Sequence, residues 1–163
     1  MSRLIAGLLV LLALGIGQAH AQTCNSAIPA STPTSRFTTS ADGTATDSAT
    51  GLMWKRCAEG QAWNPATGAC DGTAGTFTWQ QALQRAQQVN AGTAGANLGY
   101  SGWRVPNQKE LGSIVERRCY SPAINETVFP GTSNWFWSAS SYANYSYYAW
   151  SVSFPLWQRL RLR

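Results

Sequence analysis

An α+β domain with two helices and a small twisted antiparallel sheet, stapled by disulfides, is the fold class this sequence predicts. Three observations predict it. Two segments carry an N-cap residue followed three positions later by Gln or Glu: Thr78-Trp79-Gln80-Gln81 and Asn107-Gln108-Lys109-Glu110. Each is a capping box, the start signal of a helix. Two later segments, Trp135 to Ser140 and Tyr148 to Phe154, are rich in aromatic residues and suit a pleated, half-buried surface. Four cysteines in a chain that opens like an exported protein read as two disulfides.

The export reading rests on the first 21 residues. Arg3 precedes an apolar run from Leu4 to Ile16, and Ala19-His20-Ala21 is a small-x-small cleavage signature. A signal peptide over residues 1–21 is expected, with cleavage before Gln22. The run is shorter than the roughly 20 residues that a membrane span needs, so no span is expected in the mature chain. The mature chain is long enough for one domain with a real core. Residues 22–35, rich in Ser, Thr, Pro and Ala, read as an extended leader. Residues 36–163 read as the folded domain.

Charge narrows the partners. The chain has 12 basic and 7 acidic side chains, a formal net charge of +5, yet only 12% of its residues are charged. Its surface is polar but mostly uncharged. No dense Lys/Arg stripe appears, so nucleic acid is not an expected partner. The mild basic excess suits an anionic polymer. The basic residues, among them Lys55-Arg56 and Arg117-Arg118, read as a solvated scatter.

Cysteine arithmetic leaves three pairings of Cys24, Cys57, Cys70 and Cys119. Cys57–Cys70 is favoured because Gly60, Pro65 and Gly68 make the intervening segment turn-rich. Cys24–Cys119 then pins the N-terminus to the end of the second helix. A zinc site is the competing use of the thiols. It lacks any Cys-x-x-Cys pair, and the sole histidine, His20, lies in the signal segment. No metal and no cofactor are expected.

Each element has its own reason. Phe37 to Trp54 is a hairpin with turns at Asp42-Gly43 and Thr50-Gly51, and Leu52, Met53 and Trp54 enter the core. Asp42 and Asp47 are turn residues rather than half a calcium loop, since the other oxygen ligands are missing. In the first helix Trp79, Ala82, Leu83, Ala86 and Val89 share one face. A small-residue loop runs from Asn90 to Gly99. In Gly102-Trp103-Arg104-Val105-Pro106, Trp103 belongs to the core and Arg104 bonds loop carbonyls or a carboxylate. Pro106 marks the start of the second helix, which runs to about Arg118 with Leu111, Ile114 and Val115 inward. Residues after Cys119 form a Pro- and Gly-rich loop. Trp135, Trp137 and Trp150 are core residues by strand alternation.

This order resembles the C-type-lectin-like fold. Four segments resemble one bacterial exported branch of it, the Lcl C-terminal domain family. They are Asp42-Gly43-Thr44 through Met53-Trp54, Thr78 to Ala82, Gly99 to Leu111, and Trp135 to Phe154, so the likeness spans roughly residues 36 to 154. The family's namesake domain is the tip of a collagen-like adhesin that binds sulfated glycosaminoglycans. The resemblance therefore implies an exported, non-catalytic binding module with an adhesive role. It does not fix a ligand, because a fold hosts many functions. Val105-Pro106-Asn107 lacks the carboxylate or carboxamide that calcium-dependent lectins place before the proline, so metal-free binding is expected.

The expected contact surface is Tyr142, Asn144, Tyr145, Tyr147 and Tyr148. Tyr gives rigid amphipathic contact area, and Ser and Asn give adaptable hydrogen bonds. That mixture suits a glycan, sulfated or not, or a protein surface, with arginines adding charge for an anionic ligand.

Two alternatives come from different classes. The same broad fold includes formylglycine-generating oxidases, which need reactive cysteines. With all four cysteines paired no thiolate remains, and Glu110, Glu116 and Glu126 have no obvious catalytic partner. The other alternative is a truncated, non-functional family member. Relatives run on past the Tyr-Ala-Trp-x-Val-x-Phe strand through a Gly turn to further strands, whereas Pro155-Leu156-Trp157 comes next here. Loss of closing strands would leave an unpaired edge. Leu160 and Leu162, alternating with arginines, supply a short edge strand instead.

Overall fold

The computed structural model describes residues 21–132, 134–143, 145–155 and 158–162, with 145–147 and 158–162 described by backbone pairing alone. Residues 1–20 of the expected signal segment and Asn144 lie outside the described residues, as do the side chains of Tyr145 and Tyr147.

In chain order the elements are β1 (Thr23–Cys24), a 3-10 turn (Thr34–Arg36), β2 (Phe37–Thr39), β3 (Thr44–Asp47), β4 (Met53–Lys55), β5 (Ala62–Asn64), β6 (Ala69–Asp71), α1 (Trp79–Asn90), α2 (Gln108–Ser113), β7 (Cys119–Tyr120), β8 (Trp135–Tyr142), β9 (Tyr145–Ser153) and β10 (Gln158–Leu162). The class is α+β as expected, but the strands form four small antiparallel sheets: β1-β7, β2-β3-β4, β5-β6 and β10-β9-β8.

The expected hairpin is a three-stranded meander, with Phe37 opposite Asp47 and Ala45 opposite Trp54. Gly43 closes its first turn at φ +91°, and a Cβ there would stand 2.6 Å from the Cβ of Trp63. Backbone freedom and close approach both demand glycine at this position. Arg36 pairs with the fully buried Asp47, which also accepts from Ala49 N and Thr50 Oγ1. Asp47 is thus an ion-pair partner that organises the second turn. Met53 is 38% exposed, so it does not enter the core.

Both capping boxes form. Thr78 Oγ1 accepts from Gln81 N, and Gln81 Oε1 accepts from Thr78 N. Asn107 and Glu110 do the same for α2. α2 ends at Ser113, five residues short of the expected Arg118. Gly112 weakens the helix, and the β-branched pair Ile114-Val115 leaves it. Val115 instead bridges Ile124, and Glu116 N donates to Ala123 O. Cys119 therefore lies in a strand rather than at a helix end.

The disulfides are Cys24–Cys119 and Cys57–Cys70, the expected pairing. The first lies across the β1–β7 pair, in which Cys24 faces Cys119. The second ties the end of β4 to the β5–β6 hairpin. The leader is extended but not loose. Ser31 and Thr32 donate to the Glu116 carboxylate, and Gln22 Nε2 reaches Pro122 O and Ile124 O at 2.6 Å each.

The core joins Phe37 and Ala45 of the meander, Leu111 of α2, and Val152 of β9 with the adjacent Phe154. Ile114 and Val115, just past α2, add to it, and the segment after Cys119 supplies Ala123, Ile124, Val128 and Phe129. That segment is a structural plug rather than a plain loop. Edge-to-face contacts at 5.5 Å join Phe37 to Phe129 and Phe136 to Phe154. Such a ring contributes about 1.5–3 kcal/mol by burial. β10 pairs with β9 from Gln158–Ser153 to Leu162–Ala149, so the predicted edge strand is present.

Candidate functional site

The expected tyrosine segment is part of one long hairpin. β8 and β9 pair antiparallel from Trp135–Ser153 to Tyr142–Tyr145, with register shifts between Trp137 and Tyr142. Buried Ser138 accommodates the irregularity, since its hydroxyl donates to Trp150 O at 2.7 Å and accepts from Ser140 N. Tyr142 and Tyr148 are half-buried. The Tyr142 ring packs edge-on against Trp150, with centroids 5.6 Å apart. Pairing brings Tyr142 opposite Tyr145. The tyrosines thus decorate a strand end rather than a free loop.

The three tryptophans assigned to the core do not fill it. Trp135 is 49% exposed, and Trp137 and Trp150 are half-buried. Trp137 Nε1 donates to Phe77 O at 2.8 Å, and Trp79 Nε1 donates to Ser138 O at 2.9 Å. An indole needs both an apolar face and a partner for its N–H. That requirement draws these rings to the seam between α1 and β8.

That seam opens into a cleft of about 830 Å³. Its walls are β4, the inward face of α1, the 100–106 segment, α2 and the start of β8. Of the expected contact residues, Tyr142 and Tyr148 have described side chains, and neither lines it. Val89 alone in α1 is buried, because the face carrying Ala82, Ala86 and Val89 borders this space rather than the core.

Trp103 forms one wall. It is half-buried and lines the cleft, so it is not the core residue expected from its motif. Asn90, the last residue of α1, holds it. Asn90 Oδ1 accepts from Gly102 N and Trp103 N, and Nδ2 donates to Trp103 O at 2.7 Å. The indole N–H donates to Asn97 O at 2.8 Å. Tyr100 meets Trp103 edge-on and donates its hydroxyl to Asp42 Oδ2, linking this wall to the first turn of the meander. Asp42 also accepts from Thr44, and these hydrogen bonds, the Thr44 hydroxyl foremost, hold its carboxyl below the ordinary value.

The charged groups sort into three sets. Arg104 bonds Glu110 through two 2.7 Å contacts, so its partner is a carboxylate. The Arg104 bonds, acting with the Asn107 N–H, hold the Glu110 carboxyl below its ordinary value against the opposing effect of burial. Arg56 is buried, not solvated. It donates to Val128 O and Thr127 O, and its guanidinium lies 3.6 Å from the Trp63 ring centroid. Glu59 accepts from Lys55 Nζ at 3.0 Å and from Arg85 Nε at 2.9 Å. Gly95 backs this cluster, where a Cβ would collide with Glu59 Oε1.

Sequence reasoning missed Lys55, Glu59, Arg85 and Asn90 as a group. One signal was available. Arg85 comes three positions after Ala82 and four before Val89, so a cation sits within the inward stripe of α1.

All four cysteines are bonded in the two disulfides. Glu116 lies away from the cleft, bonded to Ser31 and Thr32. Among the described residues no group of three or more His, Cys, Asp or Glu is placed to hold a metal ion, and no helix is long and apolar enough to cross a membrane.

The Lcl C-terminal domain family matches residues 43–158. No curated protein and no solved structure matches the chain. The family match covers most of the sequence and includes both capped helices, the aromatic hairpin and the cleft between them, so the chain belongs to the Lcl C-terminal domain family.

Proposed function

We propose that this protein is an exported, non-catalytic recognition module of C-type-lectin-like architecture, acting in adhesion by binding a glycan or a protein surface without a metal ion. The observation that carries this reading is the β8–β9 hairpin, an aromatic strand pair stiffened by the edge-on contact of Tyr142 with Trp150. Rigid rings beside short polar side chains give contact area at low entropic cost. Family membership supports the export reading, as do two disulfides, which persist in oxidising compartments. The contact surface is Tyr142, Asn144, Tyr145, Tyr147 and Tyr148, and the net positive charge favours an anionic ligand such as a sulfated glycosaminoglycan.

A glycan array that includes sulfated glycosaminoglycans, run with and without chelator, tests the reading. Binding that survives chelator and is lost in the Tyr145→Ala, Tyr147→Ala double variant is expected. Binding abolished by chelator would sink the metal-free claim. Binding undiminished in the double variant would move the site off the hairpin.

A further inference from the structure

We propose that the cleft between β4, α1 and β8 is a second site, separate from the hairpin, that binds a small amphiphilic carboxylate: an aliphatic or aromatic body whose head is met by Lys55 and Arg85. The volume, about 830 Å³, falls in the range of small-molecule sites. Its interior suits an apolar body. Val89, Ile114, Phe154 and the ring of Trp103 line it.

Charge selects the head. Among the described residues, six charged side chains line the cleft, four basic (Lys55, Arg56, Arg85, Arg104) and two acidic (Glu59, Glu110). Arg104 and Glu110 neutralise each other through two short bonds. Arg56 is committed to two backbone carbonyls and the Trp63 ring. That leaves two cations, Lys55 and Arg85, sharing the single carboxylate of Glu59. The cluster carries one excess positive charge beside an apolar space. Glu59 takes one Lys55 N–H and the Nε–H of Arg85, while an ammonium has three donors and a guanidinium five. A second carboxylate completes this set where a neutral or cationic head does not. Lys55 and Arg85 are a quarter exposed or less, so water screens the interaction only partly. Two of the ring contacts also belong to these cations, Lys55 over Trp103 and Arg85 over Phe77, each at 5.8 Å. These contacts place the cations beside the aromatic walls along which the apolar body lies.

The test uses the full-length oxidised protein and decanoate below its micellar range, with decan-1-ol as the neutral comparison, read by titration calorimetry and tryptophan fluorescence. Decanoate should bind one to one and about tenfold more tightly than decan-1-ol, the value of one charge-assisted hydrogen bond. Added salt should weaken decanoate and leave decan-1-ol unchanged. The combined Lys55→Met, Glu59→Gln, Arg85→Gln variant removes the cluster without stranding a carboxylate. It should bind both compounds equally. Ala86→Trp, which fills the cleft, should bind neither. No decanoate binding, equal affinity for the two compounds in the unaltered protein, or decanoate binding retained by Ala86→Trp would each overturn the proposal. The salt dependence in the unaltered protein decides the matter even if the triple variant fails to fold. Neither Tyr142 nor Tyr148 lines the cleft, so failure here leaves the glycan-array test untouched.

Discussion

Glu116 holds the N-terminal segment through Thr32: its Oε2 accepts from the Thr32 amide at 2.9 Å and from the Thr32 hydroxyl at 3.0 Å. Its other oxygen accepts from Ser31 N and Arg118 N. Both Thr32 and Glu116 are buried. Residues far apart in sequence are thereby fixed by one carboxylate. Glu116→Ala strands these donors away from water and should cost about 3 kcal/mol, measured by urea unfolding. Glu116→Gln keeps an acceptor and should cost less. Equal, negligible losses would show that the leader is not held this way.

Acid should loosen the same region. Burial alone would raise the Glu116 carboxyl, but the hydrogen bonds from Thr32, Ser31 and Arg118 outweigh it and hold the group below its ordinary value of 4.5. Asp47 behaves likewise: burial raises it, while Arg36, Thr50 and Ala49 together hold it below 3.8. A depressed carboxyl contributes stability that is complete above the unfolded value and lost as pH falls through the folded one. The urea midpoint should therefore be flat from neutral pH to about pH 5, then decline. Glu116→Gln should remove part of that decline. An unchanged slope in that variant would assign the effect elsewhere.

The two disulfides should differ in worth. Cys24 and Cys119 are separated by 95 residues, Cys57 and Cys70 by 13. On chain entropy the longer loop contributes about 4.7 kcal/mol, about 1.8 kcal/mol more than the shorter. Paired Ser variants compared by thermal unfolding should rank in that order. Non-reducing peptide mapping should recover both bonds, and any Cys24–Cys57 peptide would contradict the pairing.

Two arginines should rank opposite to their prominence in the sequence. Arg104 sits in a conspicuous motif, but its side chain is 57% exposed, so Arg104→Ala should cost under about 1 kcal/mol. Arg56 is buried against Trp63 and fastens the 127–128 segment to the end of β4. Arg56→Ala should cost about 2–3 kcal/mol. Unfolding curves that reversed the order would refute this reading of the buried contacts.

The chain by itself determined what depends on near neighbours. Thr78 with Gln81 and Asn107 with Glu110 make capping boxes because an N-cap and its third residue meet within one turn. Gly43 and Gly51 mark turns for the same local reason. The tertiary structure decided whatever depends on residues remote in sequence. α2 stops at Ser113 because Val115 and Glu116 find partners at Ile124, Ala123 and Thr32. Trp103 and Trp135 line a cleft because α1, tied to the 102–103 segment through Asn90 and to β8 through Trp79, encloses a gap with β4 and α2 that strand alternation does not reveal. Lys55, Glu59 and Arg85 converge from β4, the turn after it and α1, and no local pattern encodes that meeting. A side chain's period tells which face it occupies, but only packing tells whether that face meets core, cleft or water.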